Sequence, residues 1–272
     1  MPELPEVETT RRGIAPHILG RRLERLTVRQ PCLRWPIPAN LARRVRGQAV
    51  ESVERRAKYL LLRMSGGTLL IHLGMSGSLR ILNEQPIPAP GPHDHFDLDF
   101  SECVVRFRDP RRFGALLWTS APAEQHLLLS HLGPEPLSDE FDERYLYSCS
   151  RGRQAAVKNL IMDGKIVVGV GNIYANESLF LSGIHPQRAS NRISLVRYRH
   201  LASNIKQVLQ NAIEQGGTTL RDFHNQEGNP GYFAQRLLVY GKSGDPCPNC
   251  GTTIQQRRIG QRSSFFCVQC QR

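Results

Sequence analysis

No stretch of the chain approaches the roughly 18 consecutive apolar residues that a membrane span requires, so no membrane-spanning helix is expected. The first residues also lack what a secretory signal needs. Glu3, Glu6 and Glu8 stand where such a signal carries basic and then apolar residues, and the expectation is a cytoplasmic protein. Cysteine is sparse and odd in number, 7 in 272 residues, too few and too unevenly placed for a disulfide scaffold. Acidic residues are in deficit: 24 Asp and Glu against 36 Lys and Arg leave a formal charge of +12. A surplus of that size points to a polyanionic partner, nucleic acid first, against the plainer reading of a solvated basic surface. Internal repeats and low-complexity tracts are absent. What remains is an ordinary globular composition, 40% hydrophobic and 22% charged, long enough for two domains.

The pattern along the chain changes twice. Glu6 to Gly20 reads as a helix, with Val7, Ile14 and Ile18 on one face, acidic residues in the first turn and Gly20 as the stop. From about Leu23 to Trp118 the texture is that of short strands, among them Tyr59–Leu62, Thr68–Ile71, Phe96–Phe100 and Val104–Phe107, which predicts an antiparallel sandwich or barrel. Around Leu132–Pro136 helical periodicity takes over. Two short helices are expected near Gln154–Met162 and Asn172–Leu181, and a long one from Ser194 to Gly216. Gly216–Tyr232 has few large apolar residues and reads as a long functional loop.

Four of the cysteines form Cys247-x2-Cys250 and Cys267-x2-Cys270, about 16 residues apart, with a hairpin expected around Gly260. That is the spacing of a four-thiolate zinc site, and a reducing compartment disfavours the alternative of two disulfides. Arg257, Arg258 and Arg262 lie between the knuckles, where a rigid basic tip suits phosphate contact or merely solvation. At the other end, removal of Met1 exposes the secondary amine of Pro2. An α-amino group titrates near 8, so about a tenth is unprotonated and nucleophilic at pH 7. Attack on an aldehydic sugar carbon gives an iminium, an electron sink for elimination, with Glu3 beside it to move protons. Many chains begin Met-Pro without any such role.

Gly169-Val170-Gly171-Asn172-Ile173-Tyr174 fails as a dinucleotide loop because Tyr174 occupies the third glycine position. It reads as a turn entering a helix at Asn172, with amides free to hold a phosphate or simply to cap the helix. Asp109-Pro110-Arg111-Arg112-Phe113-Gly114 displays two guanidiniums and an aromatic ring, and Leu73-Gly74-Met75-Ser76-Gly77 a flexible apolar side chain between glycines. Arginine beside an apolar wedge can fill a gap left in stacked bases, although Phe113 could equally be core and Arg112 a surface ion pair.

Taken in order, these segments resemble the bacterial formamidopyrimidine-DNA glycosylases over essentially the whole chain. The resemblance runs through Pro2–Thr9, Arg55–Tyr59, His72–Gly77, Asp109–Gly114, His131–Leu137, Val168–Ala175, Gln215–Thr219, Pro230–Phe233 and the four cysteines. It implies an α+β multidomain fold. An N-terminal antiparallel β-sandwich with an N-terminal helix (1–132) precedes a helix–two-turn–helix domain (133–240) and a four-cysteine zinc finger (241–272). It also implies a bifunctional glycosylase and AP lyase of base excision repair. Such an enzyme excises oxidised purines, 8-oxoguanine and formamidopyrimidines, through a proline Schiff base and nicks the strand by β,δ-elimination.

By the same resemblance Pro2 is the nucleophile, Glu3 handles protons at the sugar, and Lys58 assists base release. His72, Met75, Arg111, Arg112, Phe113, Lys158, Asn172 and Arg262 contact DNA. Met75, Arg111 and Phe113 fill the hole, with Arg111 facing the orphaned base and favouring cytosine. Thr218, Thr219 and Tyr232 belong to the lesion-capping loop. The implied cofactor is one structural Zn2+ per chain held by Cys247, Cys250, Cys267 and Cys270, with no organic cofactor. The implied partner is damaged double-stranded DNA, bound by a monomer that is cytoplasmic and nucleoid-associated. Two other readings stand beside this one: an endonuclease VIII-like glycosylase for oxidised pyrimidines, and a non-catalytic zinc-ribbon nucleic-acid-binding protein.

Overall fold

The computed structural model describes residues 2–217 and 237–272. They divide into two compact units, one built on residues 2–130 and one on residues 131–215 with 237–272. Among the described residues no helix is long and apolar enough to cross a membrane.

The N-terminal unit opens with α1 (Leu4–Ile18), two residues earlier than the periodicity suggests. The reason is a capping box: Glu3 is the N-cap, and the Glu6 carboxylate accepts the Glu3 N–H at 2.8 Å. Strand β1 (Arg25–Val28) and the short helix α2 (Leu41–Val45) follow. Two four-stranded antiparallel sheets are then built. One has the order β2–β3–β4–β8, from β2 (Val50–Arg56), β3 (Tyr59–Met64), β4 (Gly67–His72) and β8 (Ala115–Thr119). The other runs β1–β6–β7–β5, with β5 (Ser78–Leu82), β6 (Asp94–Asp99) and β7 (Val104–Arg108).

Alternation sends Leu60, Leu62, Leu69 and Ile71 of the first sheet, and Phe96, Leu98, Val105 and Phe107 of the second, into one core. Val7, Ile14 and Ile18 of α1 join the same cluster. This is the expected sandwich with an N-terminal helix. Glu8 ties that helix to the sheet, accepting from Arg11 and Arg12 on its own element and from Arg55 of β2 at 3.2 Å. Burial raises the Glu8 carboxyl, but those hydrogen bonds and the charges of Arg11 and Arg55 outweigh it and hold the group below the ordinary range.

The second unit contains α3 (Glu143–Ser150), α4 (Val157–Met162), α5 (Asn172–Leu181) and α6 (Leu195–Glu214). Helix α6 is capped by Ser194, whose side chain accepts the Arg197 N–H. Its stripe Tyr198, Leu201, Ala202, Ile205, Val208, Leu209, Ala212 and Ile213 is buried throughout, as helical spacing requires. Strands β9 (Gln255–Ile259) and β10 (Arg262–Phe266) form the expected hairpin. Ile259 pairs with Arg262, leaving Gly260 and Gln261 as a two-residue turn, both at positive φ. The zinc segment is not a separate body. Phe180 of α5 clusters with Val239, Cys247, Ile254, Phe265 and Cys267, and the Phe265 N–H donates to Asn176 Oδ1 at 2.8 Å.

Candidate functional site

In the N-terminal unit, Pro2 and Glu3 are buried at the start of α1, where the positive end of the helix favours a carboxylate and disfavours a protonated amine. Lys58 sits in the turn between β2 and β3. Arg56 pairs with Tyr59, so only Ala57 and Lys58 make the connection. Ala57 takes φ 55°, a left-handed conformation uncommon for alanine, and its carbonyl accepts from Arg55 Nη1 at 3.0 Å. The Glu8–Arg55 pair thus braces the turn that presents the lysine.

His72, at the end of β4, packs its ring 4.8 Å from that of Tyr59. Its pKa is depressed to about 4, by burial first and then by the charges of Lys58 and Arg34. At neutral pH it is an uncharged imidazole. Nδ1 accepts the Gly74 N–H at 2.9 Å, so the proton lies on Nε2, which remains a donor. Arg34 went unnoticed in the sequence. Its guanidinium lies 4.6 Å over Trp35, and its main-chain N–H donates to Gly114 O at 3.0 Å. The adjacent Arg-Trp pair was the available signal.

The two wedge loops interlock. Gly74 has φ 70°, and a Cβ there would stand 2.4 Å from Phe113 C and 2.5 Å from Gly114 N, so the main chains are in direct contact. A Cβ on Gly114 would meet the Phe107 ring at 2.4 Å, and one on Gly77 would meet Leu73 O at 2.1 Å. Those glycines are what let the Met75 loop and the 109–114 loop lie together. Met75 is half-buried, while Arg111, Arg112 and Phe113 are exposed, Phe113 to 43%. The Arg111 guanidinium rests 5.3 Å over the Phe113 ring. Phe113 is therefore not core, and no acid pairs with Arg112 among the described residues. Beneath these side chains lie Asp109 and Ser76, joined by a hydrogen bond from Ser76 Oγ to Asp109 Oδ1 at 2.7 Å.

The second unit gathers another set. Asn172, the first residue of α5, donates from Nδ2 to Ser263 O at 3.0 Å, while its buried Oδ1 has no hydrogen-bond partner among the described residues. Arg262, the first residue of β10, is exposed beside the hairpin turn. Lys158, expected to contact DNA, is 0% exposed, and its ammonium donates to Ser263 O at 2.9 Å and Ser264 Oγ at 2.6 Å. Enclosed in this way it holds the hairpin; helix α4 turns it inward beside buried Val157, Leu160 and Ile161. Thr218, Thr219 and Tyr232 lie outside the described residues. Glu177 was also missed: buried in α5, it accepts the N–H groups of Leu238, Val239 and Tyr240 at 2.7, 3.0 and 2.8 Å. Burial raises its carboxyl above the usual range despite those bonds.

The sulfurs of Cys247, Cys250, Cys267 and Cys270 all lie within 4.8 Å of one another. Cys247 Sγ is 3.8 Å from Cys270 Sγ, and Cys250 Sγ is 3.5 Å from Cys267 Sγ. A tetrahedron with Zn–S bonds of about 2.3 Å has edges of about 3.8 Å, so the donor set fits one zinc ion with no open position. Such a closed site is structural.

Three family profiles match in succession: the formamidopyrimidine-DNA glycosylase N-terminal domain over residues 1–116, the formamidopyrimidine-DNA glycosylase H2TH domain over 132–224, and the zinc finger found in FPG and IleRS over 244–272. A relative from Syntrophotalea carbinolica, named formamidopyrimidine-DNA glycosylase, is 59% identical over 273 residues and covers 100% of both chains. The crystal structure of the MutM (Fpg) protein from Thermus thermophilus superimposes with a TM-score of 0.89 at 37% identity, covering 99% of this chain and 98% of that one. Lactococcus lactis Fpg in complex with DNA containing an abasic site gives a TM-score of 0.90 at 31% identity, with 99% of each chain covered. With its sandwich, its helical unit and its four-cysteine hairpin matched end to end, the chain belongs to the formamidopyrimidine-DNA glycosylase family.

Proposed function

We propose that the chain is a bifunctional DNA glycosylase and AP lyase that removes oxidised purines from duplex DNA. The observation that carries this reading is the N-terminal unit itself. It combines a Pro2–Glu3 helix start, a braced lysine turn beside an uncharged His72, and an exposed Arg111–Phe113 pair on interlocked loops.

The target base is inaccessible inside a stack, so it leaves the duplex at a cost of a few kcal/mol, and Met75, Arg111 and Phe113 occupy the vacated space. The Pro2 nitrogen attacks C1′ of the extruded nucleotide. The C1′–N bond to the base breaks and the base departs with the proton shed by the Pro2 nitrogen; the C1′–O4′ bond then opens, O4′ taking a proton by way of Glu3, and an iminium joins C1′ to Pro2. The iminium acidifies C2′–H; removal of that proton expels the 3′ phosphate, and a second elimination expels the 5′ phosphate. Glu3, beside the nucleophile, handles protons at the sugar. Lys58 assists base release and, with the Nε2–H of neutral His72, meets phosphate oxygens. Asn172 and Arg262 hold phosphates on the second unit, and Arg112 adds charge to the wedge loop. Thr218, Thr219 and Tyr232 are assigned to the loop that caps the extruded base. Zinc supplies no step; its four thiolates hold the hairpin that carries Arg262. With DNA as its substrate, the protein is assigned to the cytoplasm and, within it, to the nucleoid.

The distinguishing experiment compares excision of 8-oxoguanine opposite cytosine with excision of thymine glycol. Faster release of 8-oxoguanine with strand scission supports the proposal. Preference for thymine glycol would assign the pyrimidine-directed activity, and binding without scission by protein starting at Pro2 would make it a binding module.

A further inference from the structure

We infer that Asp109 is the positioning residue that sets the hole-filling side chains and so governs the choice of opposite base. The inference rests on the reading of Met75, Arg111 and Phe113 given above. Arg111 and Phe113 are exposed, so core packing does not fix their side chains. Asp109, 0% exposed, lies directly beneath them. Its Oδ1 accepts the Ser76 hydroxyl at 2.7 Å and the Arg111 N–H at 3.2 Å, and its Oδ2 accepts the Gly114 N–H at 2.8 Å. Ser76 Oγ in turn accepts the Arg111 N–H at 3.3 Å. One carboxylate therefore holds both ends of the Arg111–Gly114 segment and, through Ser76, the residue next to Met75. Asp109 is itself anchored: its N–H donates to His93 O at 3.0 Å, and its carbonyl lies 2.7 Å from Nε2 of buried His95.

The chemistry demands a carboxylate rather than an amide. Both oxygens accept, and two of the three donors are backbone N–H groups that cannot reverse. The NH2 of an asparagine would face either the Gly114 N–H or the Arg111 N–H, whichever way it turned. The Ser76 hydroxyl could reverse; the amides could not. Asp109 touches neither substrate nor the reacting atoms, so its effect passes through the geometry of the wedge loops.

The test uses full-length, zinc-loaded protein starting at Pro2, with Asp109→Asn and, as the milder lesion, Ser76→Ala. Two activities are read: 8-oxoguanine excision opposite cytosine relative to adenine, and lyase action on an abasic site in single-stranded DNA, where no orphaned base exists. The expected result for Asp109→Asn is a roughly tenfold fall in the cytosine-to-adenine ratio, the scale of one charge-assisted hydrogen bond, with single-strand lyase activity within about twofold of wild type. Ser76→Ala should show a smaller fall of the same kind, and it decides the matter if Asp109→Asn does not fold. An unchanged ratio in folded variants overturns the inference, as does an equal loss of both activities, which would assign Asp109 to stability alone. If the wild-type protein itself shows no opposite-base preference, the hole-filling reading underneath has failed instead.

Discussion

Gly74→Ala probes the interlocking of the wedge loops, and Gly20→Ala supplies its control. The two glycines share nearly the same positive φ, 70° and 76°, and lie in the same unit. An L-residue held there costs about 1–2 kcal/mol at either site. They differ in surroundings. A Cβ at Gly20 meets nothing within 4 Å, whereas one at Gly74 meets Phe113 C, Gly114 N and Phe113 O between 2.4 and 2.7 Å. Those atoms are main chain and cannot swing aside, so Gly74→Ala carries a further ~1–3 kcal/mol of overpacking. Denaturant unfolding should separate the variants by that amount. Gly74→Ala should also lose opposite-base discrimination, because relief of the clash moves the Phe113–Gly114 peptide; Gly20→Ala should keep it. Equal destabilisation of both, within about 0.5 kcal/mol, would refute the contact between the loops.

Three further outcomes follow from the same geometry. With its folded pKa near 4 against an ordinary 6.5, His72 takes a proton in the unfolded chain before it does in the folded one. It contributes no pH dependence above pH 6.5 and increasing destabilisation as the pH falls from 6.5 to about 4, reaching ~3 kcal/mol at about 1.4 kcal/mol per pH unit. Denaturation of wild type and His72→Gln at pH 7 and pH 4 measures this, and identical pH slopes would contradict it. Cys250→Ser should release zinc and weaken duplex binding at least roughly tenfold while leaving Pro2 intact; one zinc per chain with full affinity, by metal analysis and titration, would refute the structural role. Arg111→Ala should relax cytosine preference more than it slows single-turnover excision, and unchanged discrimination would remove Arg111 from that role.

Elements with long or regular burial were legible in the sequence. The α6 stripe and the Asn172–Leu181 helix were bounded correctly because each has a glycine or serine at its start, to which α6 adds a repeating apolar face. The strands Tyr59–Met64 and Gly67–His72 were plain because their apolar runs are buried across the sheet. Leu41–Val45 is too short to show a period, and Glu143–Ser150 buries only Leu146 and Ser150, so neither helix was visible. Candidate residues were legible where their chemistry is local, a proline at the chain start and four spaced cysteines, whereas Lys58 came from the family resemblance alone. What was not legible depends on depth. Lys158 is named as a DNA contact by resemblance, and nothing local tells that its ammonium is enclosed against Ser263 and Ser264. Asp109 drew no role from the sequence, yet it is the buried acceptor beneath two loops. Arg34 lies far in sequence from the His72 that its charge depresses. Tertiary packing alone decides each of these.

The central claim, covalent catalysis at Pro2, is tested most directly by borohydride trapping. Protein shown by mass spectrometry to begin at Pro2 is incubated with a duplex carrying 8-oxoguanine opposite cytosine and reduced in situ, and the adduct is mapped by peptide. The expected result is one DNA adduct on the Pro2 peptide, lost when a residue is retained ahead of Pro2 and its nitrogen is an amide. An adduct on Lys58, or none from processed, zinc-loaded protein, would contradict the account.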